Sequence, residues 1–127
     1  MKIKLSSVFV DDQAKALGFY TEVLGFVKKT DASAGEFRWL TVVSPDEPNG
    51  TELVLEPNDN PAAKAFQAAI FEQGLPATSF SVEDVQKEYE RLKGLGVVFV
   101  MDPTQAEWGT DAMFNDTCGN IINLHQD

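Results

Sequence analysis

The pattern of apolar and polar positions repeats once along the chain. In the first half, a β-rich run at 2–10 precedes an acidic helix start at Asp12, and apolar residues then recur at helical spacing as far as Gly25. In the second half, the run 77–83 precedes Asp84, and an amphipathic helix follows it. The two helix starts lie 72 positions apart, which indicates a duplicated unit.

After its helix, each half continues with apolar and β-branched segments that predict strands. A turn rich in Pro, Asn and Gly at 45–50 and a tight turn at Gly119 predict one hairpin in each half. A helix-favouring segment at about 61–73 begins with Asn and Pro and predicts a linking helix. The predicted strands that follow the two repeated helices are 26–29, 36–44 and 51–57 in the first half, and 97–101, 111–116 and 121–126 in the second.

The order of elements predicts an α+β fold of two tandem βαβββ modules, at about 1–58 and 75–127, within a single domain of 127 residues. Neither module has a complete core alone, so we expect the two to bury apolar faces together. We expect a curved mixed sheet around a cleft, lined by alternate residues of both modules.

Composition narrows the classes of partner. The hydrophobic fraction of 43% suffices for a core, and no apolar run is long enough for a membrane span. The N-terminal stretch does not have the pattern of a secretory signal, so we expect a cytoplasmic protein with no membrane partner. A net charge of −10 argues against a nucleic-acid partner. The single cysteine, Cys118, excludes an internal disulfide, and its surroundings favour a small residue beside a turn over a thiol nucleophile.

Three stretches carry a resemblance to a known family. "VFVDDQAKALGFYTEVLGF" resembles the opening signature of the vicinal oxygen chelate superfamily, which includes glyoxalase I, extradiol dioxygenases, fosfomycin-resistance enzymes and bleomycin-resistance proteins. "SFSVEDVQKEYERLKGLGV" resembles its second-module signature, and "NDTCGNIINLHQ" its closing hairpin. The resemblance implies the glyoxalase/bleomycin-resistance/dioxygenase fold and a two-fold homodimer, but the superfamily spans several chemistries.

The resemblance also implies where a divalent metal would be held, usually by His and Glu. The corresponding positions here are Leu5, Ala77 and Asn123, and the fourth lies in "TELVLE", where Glu52 and Glu56 share the parity of a cavity-facing residue. Leucine and alanine donate nothing to a metal, and an amide is a weak donor. We therefore predict no metal and no other cofactor.

Strand parity selects the residues that we expect to bind a small molecule in the cleft. They are Ser7, Phe9, Trp39, Glu56, Ser79, Trp108, Asn123 and His125.

Several of these assignments have a structural alternative. Phe9 and Trp39 could simply fill the interior, and Arg38 could point inward in place of Trp39. A Glu56 facing an apolar cleft could pair with a cationic ligand or act as a base, or it could stand in water at a strand end. Trp108 lies in the predicted loop 104–110 and could cover the cleft. His125, the only histidine, could act as a ligand or base, or be a partly exposed residue of the last strand.

The leading hypothesis for function is metal-free binding of a small molecule, as in the bleomycin-resistance group. One alternative is an enzyme of lyase, isomerase or dioxygenase type with an unusual metal or acid–base site. Another is a non-catalytic interaction module with a collapsed cleft.

Overall fold

The computed structural model describes every residue from Met1 to Asp127. The elements are β1 Leu5–Val10, α1 Gln13–Gly18, a π-helical turn Phe19–Val23, β2 Val27–Ala34, β3 Phe37–Val43, β4 Glu52–Pro57, α2 Pro61–Glu72, β5 Thr78–Ser81, α3 Val85–Gly94, β6 Phe99–Ala106, β7 Gly109–Asn115 and β8 Ile121–Gln126. The chain divides into two compact units, Met1–Ala65 and Phe66–Asp127.

Each unit contains one four-stranded mixed sheet. In the first unit the strand order is β1-β4-β3-β2, and in the second it is β5-β8-β7-β6. The first and last strands of each unit, β1 with β4 and β5 with β8, pair in parallel, and all other pairs are antiparallel. The predicted α+β class and the duplicated βαβββ order are confirmed.

One face of each sheet is covered by the helix of its own unit. In the first unit α1 contacts β3 and β4, and in the second α3 contacts β6, β7 and β8. Because side chains alternate across a strand, every second residue contributes to this core. Buried residues of these two cores include Val8, Val10, Ala16, Tyr20, Leu40, Val42 and Leu55 in the first unit, and Val85, Leu92, Ala112, Phe114, Ile122 and Leu124 in the second.

Both repeated helices begin at the predicted aspartate. Asp12 Oδ1 accepts a hydrogen bond from Lys15 N at 3.1 Å, and Asp84 Oδ1 accepts one from Lys87 N at 3.0 Å. Each carboxylate thereby satisfies one of the backbone N–H groups that a helix leaves unpaired at its start.

The first helix is less regular than its apolar spacing predicts. The α-helix ends at Gly18, and Leu24 N then donates to Phe19 O at 3.0 Å in the wider π pattern. Glycine weakens a helix interior, and the Thr21 hydroxyl donates to Leu17 O at 2.6 Å, a bond of the kind that bends helices. The linking helix α2 ends one residue before its predicted end. None of the helices is long and apolar enough to cross a membrane.

The strand β6 corrects the prediction of a loop at 104–110. It runs from Phe99 to Ala106, and only Glu107 and Trp108 form the turn before β7. The segment is polar and contains Pro103, which disfavour a strand by propensity. However, β6 is an edge strand with shifts in pairing register between Met101 and Thr104, and edge strands and bulges accommodate proline.

Candidate functional site

The face of the second sheet opposite α3 carries the polar residues of interest. Cross-strand pairing places Ser79 opposite Asn123, Asn123 opposite Met113, and Met113 opposite Met101. His125 and Asp111 form the next pair on the same face. Paired residues share a face of a sheet, so side chains from all four strands converge there.

A pocket of about 480 Å³ lies on this face. Its volume falls in the range of small-molecule sites, and its lining combines apolar side chains with a few polar groups, as such sites usually do. The lining residues are Pro76, Met101, Thr104, Ala106, Trp108, Asp111, Met113, Asn123 and His125.

Asp111 is the centre of the polar network in this pocket. Its Oδ2 accepts a hydrogen bond from Trp108 Nε1 at 3.0 Å. Its Oδ1 accepts one from Asn123 Nδ2 at 2.9 Å and lies 2.9 Å from His125 Nδ1. The hydrogen bonds from Asn123, His125 and Trp108 hold the pKa of this carboxyl below its ordinary value, so Asp111 is anionic at neutral pH.

His125 lies between two carboxylates. Nδ1 faces Asp111, and Nε2 is 3.0 Å from Asp127 Oδ1. Ionised carboxylates can only accept hydrogen bonds, so both ring nitrogens have a partner only when the ring is an imidazolium. The hydrogen bonds to Asp111 and then Asp127 raise the pKa of His125 accordingly.

The backbone at Gly109 confines the histidine ring. A Cβ added at Gly109 would lie 2.9 Å from His125 Cε1 and only 2.1 Å from Gln126 O. The φ angle of Gly109 is +129°, a conformation that other residues rarely adopt. Glycine at this position is therefore what allows the turn to approach β8 so closely.

Trp108 lies at the tip of the β6–β7 hairpin. Its side chain is 71% exposed although the residue lines the pocket, and its indole N–H is bonded to Asp111. An exposed indole with its N–H held at one edge presents its aromatic face, and aromatic faces contribute strongly to binding. Trp108 therefore lines the pocket from a tight turn and not from the predicted loop.

The side-chain amide nitrogen of Asn123 is hydrogen-bonded, whereas its oxygen is not. Its amide nitrogen donates to Ser79 Oγ at 3.0 Å and to Asp111 Oδ1. Its Oδ1 is buried without a hydrogen-bond partner. Turning the amide over would bring Oδ1 against the Asp111 carboxylate, so that carboxylate determines the orientation of the amide.

Three of the predicted binding residues meet on the first sheet. Phe9 pairs with Glu56 in the parallel register of β1 and β4, and Ser7 Oγ donates to Glu56 Oε1 at 3.1 Å. They lie on the face opposite α1. The Ser7 bond gives Glu56 a partner from within its own sheet.

Trp39 lies on this same face, two strands away from β1, and its residue is 42% exposed. Its neighbour Arg38 instead pairs with Asp31, with Nε at 3.0 Å from Oδ1 and Nη2 at 2.6 Å from Oδ2. Of the two alternatives, Trp39 is thus the one on the open face.

The buried carboxylate of the first unit is Glu52 and not Glu56. Glu52 is only 7% exposed, accepts from Lys4 Nζ at 2.7 Å and from Thr41 Oγ1 at 2.8 Å, and has its pKa lowered by these bonds. The sequence alone could not decide which of the two glutamates is buried, because both have the same strand parity. The pair with Lys4 makes Glu52 a structural group.

The residues at the metal positions implied by the fold do not fit a metal. Pairing of Ser7 with Val54 matches that of Ser79 with Asn123, so Val54 holds in β4 the place of Asn123 in β8. The four positions are then Leu5, Val54, Ala77 and Asn123, three of which lack any donor atom. No group of three or more His, Cys, Asp or Glu side chains is arranged to hold a metal ion anywhere in the chain.

Asp111 and the two methionines of the pocket were missed by sequence reasoning. The position of the closing hairpin could have revealed Asp111 and Met113. A turn centred at Cys118 pairs Asp111 with His125 and Met113 with Asn123. Met101 could not have been found in this way, since its pairing follows a register shift in β6.

The fold is that of a known superfamily. Residues 2–124 match the family described as the Glyoxalase/Bleomycin resistance protein/Dioxygenase superfamily. The chain belongs to this superfamily, which confirms the resemblance of its three signature stretches.

Similar proteins span almost the whole chain. The uncharacterized protein YurT of Bacillus subtilis (strain 168) is 59% identical over 126 residues, which cover 99% of each chain. The crystal structure of UcmS2 has a TM-score of 0.86 and 36% identity, and the match covers 100% of this chain and 98% of UcmS2. The structure of TnmS3, an antibiotic binding protein from Streptomyces sp. CB03234, has a TM-score of 0.76 and 32% identity, covering 99% of this chain and 95% of TnmS3.

Proposed function

We propose that this protein is a metal-free, cytoplasmic binding protein for a small organic molecule, held in the pocket of the second sheet. The observation that carries the proposal is the pocket itself. It offers thioether and aromatic surface from Met101, Met113 and Trp108 beside a polar cluster of Asp111, Asn123 and His125. Apolar area would supply most of the binding free energy, and the polar groups would orient the ligand.

The absence of donor atoms at Leu5, Val54 and Ala77 supports binding without a metal. Asn123 would be the only potential ligand left of the four, through its neutral amide oxygen. A transition metal at these positions would have at most one weak neutral donor.

Charge and shape favour an aromatic ligand with a cationic group. The chain has a net charge of −10, and the pocket carboxylate of Asp111 is joined near His125 by that of Asp127. These two carboxylates exceed the single positive charge of the imidazolium between them. TnmS3 is described as an antibiotic binding protein, so we extend the proposal to antibiotic-like aromatic molecules.

The proposal is tested by titrating the protein with bleomycin and a panel of other aromatic antibiotics, while measuring tryptophan fluorescence and melting temperature. A ligand held at 100 times its Kd adds about 2.7 kcal/mol of stability, which raises the melting temperature by several degrees. Quenching of Trp108 should accompany the stabilisation and disappear in Trp108→Ala. The matched control is Trp39→Phe, which keeps Trp108 as the sole tryptophan. If no compound changes either signal, and the protein purified from cells carries no small molecule by native mass spectrometry, the proposal is wrong.

An acid–base enzyme is the second candidate, favoured by His125. A histidine oriented by a carboxylate at Nδ1 resembles the arrangement of a general base in many enzymes, but here Nε2 is bonded to Asp127 and no nucleophile is hydrogen-bonded to the ring. Chemical turnover of a bound ligand that is abolished by His125→Gln would favour this candidate over simple binding.

We further propose that the two units form one domain and that the protein is a homodimer. Edge strands such as β6 and β2 expose unpaired backbone groups unless they are covered. Exposed apolar side chains on and beside β6, including Val98 and Val100, support an interface there. Sedimentation should give twice the chain mass of 14.0 kDa at micromolar concentration, and a monomer would contradict the assembly.

A further inference from the structure

One carboxylate binds three side chains of the pocket at once. Asp111 lies on β7, while Trp108 comes from the preceding turn, and Asn123 and His125 come from the neighbouring strand β8. Oδ2 receives the indole N–H, and Oδ1 receives the amide of Asn123 and faces Nδ1 of His125. All four residues line the pocket.

We infer that Asp111 is the positioning residue of this pocket, and that its two oxygens set the orientation of the Trp108 indole, the Asn123 amide and the His125 ring. A carboxylate is suited to this role because both of its oxygens only accept hydrogen bonds. Three donors from different parts of the unit can therefore point at one group.

An asparagine at 111 has nearly the same shape but cannot perform this role. One of its two terminal atoms is a donor, so it would face an N–H of Trp108 or of its other two partners. The negative charge that stabilises the imidazolium would also be lost. At least one of the three side chains would then lose its partner and leave the observed orientation.

Trp108 is the most sensitive of the three. Trp108 is 71% exposed at a hairpin tip, where packing restrains it little, and its indole N–H is hydrogen-bonded to Asp111. Asn123 and His125 have further partners in Ser79 and Asp127. Losing the carboxylate should therefore release the indole more than the other two groups.

The test uses the fact that the chain contains one histidine and two tryptophans. In a Trp39→Phe background Trp108 is the only indole, so its fluorescence anisotropy and its indole N–H resonance are unambiguous. The variant is Asp111→Asn in this background. The matched control is Asp31→Asn, which removes the carboxylate that accepts two hydrogen bonds from Arg38 on the first sheet.

We expect Asp111→Asn to lower the anisotropy of Trp108, to move its indole N–H resonance, and to return the pKa of His125 toward its ordinary value. The control should change none of these three signals. A folded Asp111→Asn protein with unchanged anisotropy and unchanged His125 titration would overturn the inference. A structural role alone would lower the melting temperature without lowering the anisotropy of Trp108, because loss of the negative charge shifts the histidine pKa in either case.

A second measurement does not depend on folding of the variant. In the Trp39→Phe protein the indole N–H resonance of Trp108 should titrate in acid together with the Asp111 carboxyl, before the protein unfolds. An indole N–H chemical shift that does not change during this titration would overturn the inference.

The consequence for binding rests on the proposed function. With wild-type tryptophans, calorimetric titration with bleomycin should show binding about tenfold weaker in Asp111→Asn than in Asp31→Asn, because oriented charged hydrogen bonds are lost. If the ligand-free signals change as expected but bleomycin binds neither protein, the positioning role stands and binding of this ligand class is refuted.

Discussion

The two sheets share a topology, but the carboxylates on the faces opposite their helices have different partners. In the first unit Glu52 is paired with Lys4 and Thr41, whereas in the second Asp111 is held by an indole, an amide and an imidazole. The first arrangement is an ion pair between a largely buried carboxylate and an exposed lysine ammonium. The second includes a histidine whose pKa its carboxylate partners raise above the ordinary value.

Equivalent positions in the two sheets carry different side chains. Val54 corresponds to Asn123 and Glu56 corresponds to His125, because the parallel strand pairs have the same register in both units. A polar side chain at 123 can reach Asp111 on the next strand, whereas Val54 can bond to nothing. The two sheets therefore have the same strand arrangement, and the side chains on their central strands decide which sheet carries a polar pocket.

The largest effect on stability is expected from substitutions at the hairpin turns, where the two units differ in how closely the chain approaches a neighbouring strand. Gly109 and Gly35 both have a positive φ, of 129° and 67°, but a Cβ at Gly109 would overlap Gln126 O, whereas one at Gly35 meets nothing within 4 Å. We expect Gly109→Ala to lower the free energy of unfolding by about 3 kcal/mol, through backbone strain and overlap. Gly35→Ala should cost about 1 kcal/mol. Denaturant unfolding measures both, and equal losses would mean that close approach of the second hairpin to β8 is unimportant.

The helix caps test a feature that the two units share. Asp12→Ala and Asp84→Ala each remove a carboxylate that accepts a backbone N–H, so we expect each to cost about 1 kcal/mol. Asp11→Ala is the control, since it removes only the exposed ion pair with Lys15 and should cost about 0.3–0.5 kcal/mol. Clearly unequal effects of the two cap substitutions would show that the duplicated units differ in their dependence on α1 and α3.

The two carboxylate sites should respond to opposite ends of the pH scale. The pKa of His125 is raised above 6.5 in the folded protein, so its contribution is complete below that value and is lost as pH rises through the folded pKa. The pKa of Glu52 is lowered below 4.5, so its contribution is present above that value and is lost as pH falls through the folded pKa.

Melting temperatures measured across this range check both signs. His125→Gln should remove the decline in stability above pH 6.5, and it should also reduce the acid-side contribution of Asp111, whose pKa His125 helps to lower. Glu52→Gln should reduce the acid-side decline and leave the alkaline side as it is, and Asp111 should still contribute in acid because its pKa is also lowered. A His125→Gln protein that keeps the full alkaline decline would contradict the imidazolium assignment.

Metal removal is expected to have the smallest effect. Because three of the four implied metal positions lack a donor, EDTA should leave the melting curve unchanged, and Zn²⁺ or Ni²⁺ at tens of micromolar should add no specific stabilisation. The gain-of-site control installs donors at all four positions, as Leu5→His, Val54→Glu, Ala77→His and Asn123→Glu. If folded, it should melt higher with metal. Loss of several degrees by the wild-type protein in EDTA would disprove metal independence.

Local patterns in the sequence were sufficient for the architecture. The duplicated apolar spacing, the capping aspartates 72 positions apart and the glycine-marked turns predict βαβββ twice, since each depends on residues within one or two turns of chain. Parity also predicted which side chains share a face, including Ser79, Asn123 and His125. The lack of donors at Leu5 and Ala77 followed from residue identity alone.

Tertiary structure decided which of these side chains meet. Parity could not separate Glu52 from Glu56, or reveal that Asp111 binds Trp108, Asn123 and His125, because such contacts depend on the pairing of distant strands. That pairing is set by turn length and bulges, and one shifted residue moves a side chain to the other face of the sheet. The bulges of β6 bring Met101 and Trp108 to one pocket. They depend together on edge-strand pairing, on Pro103 and on the tight turn at Gly109, and no local sequence pattern encodes this combination.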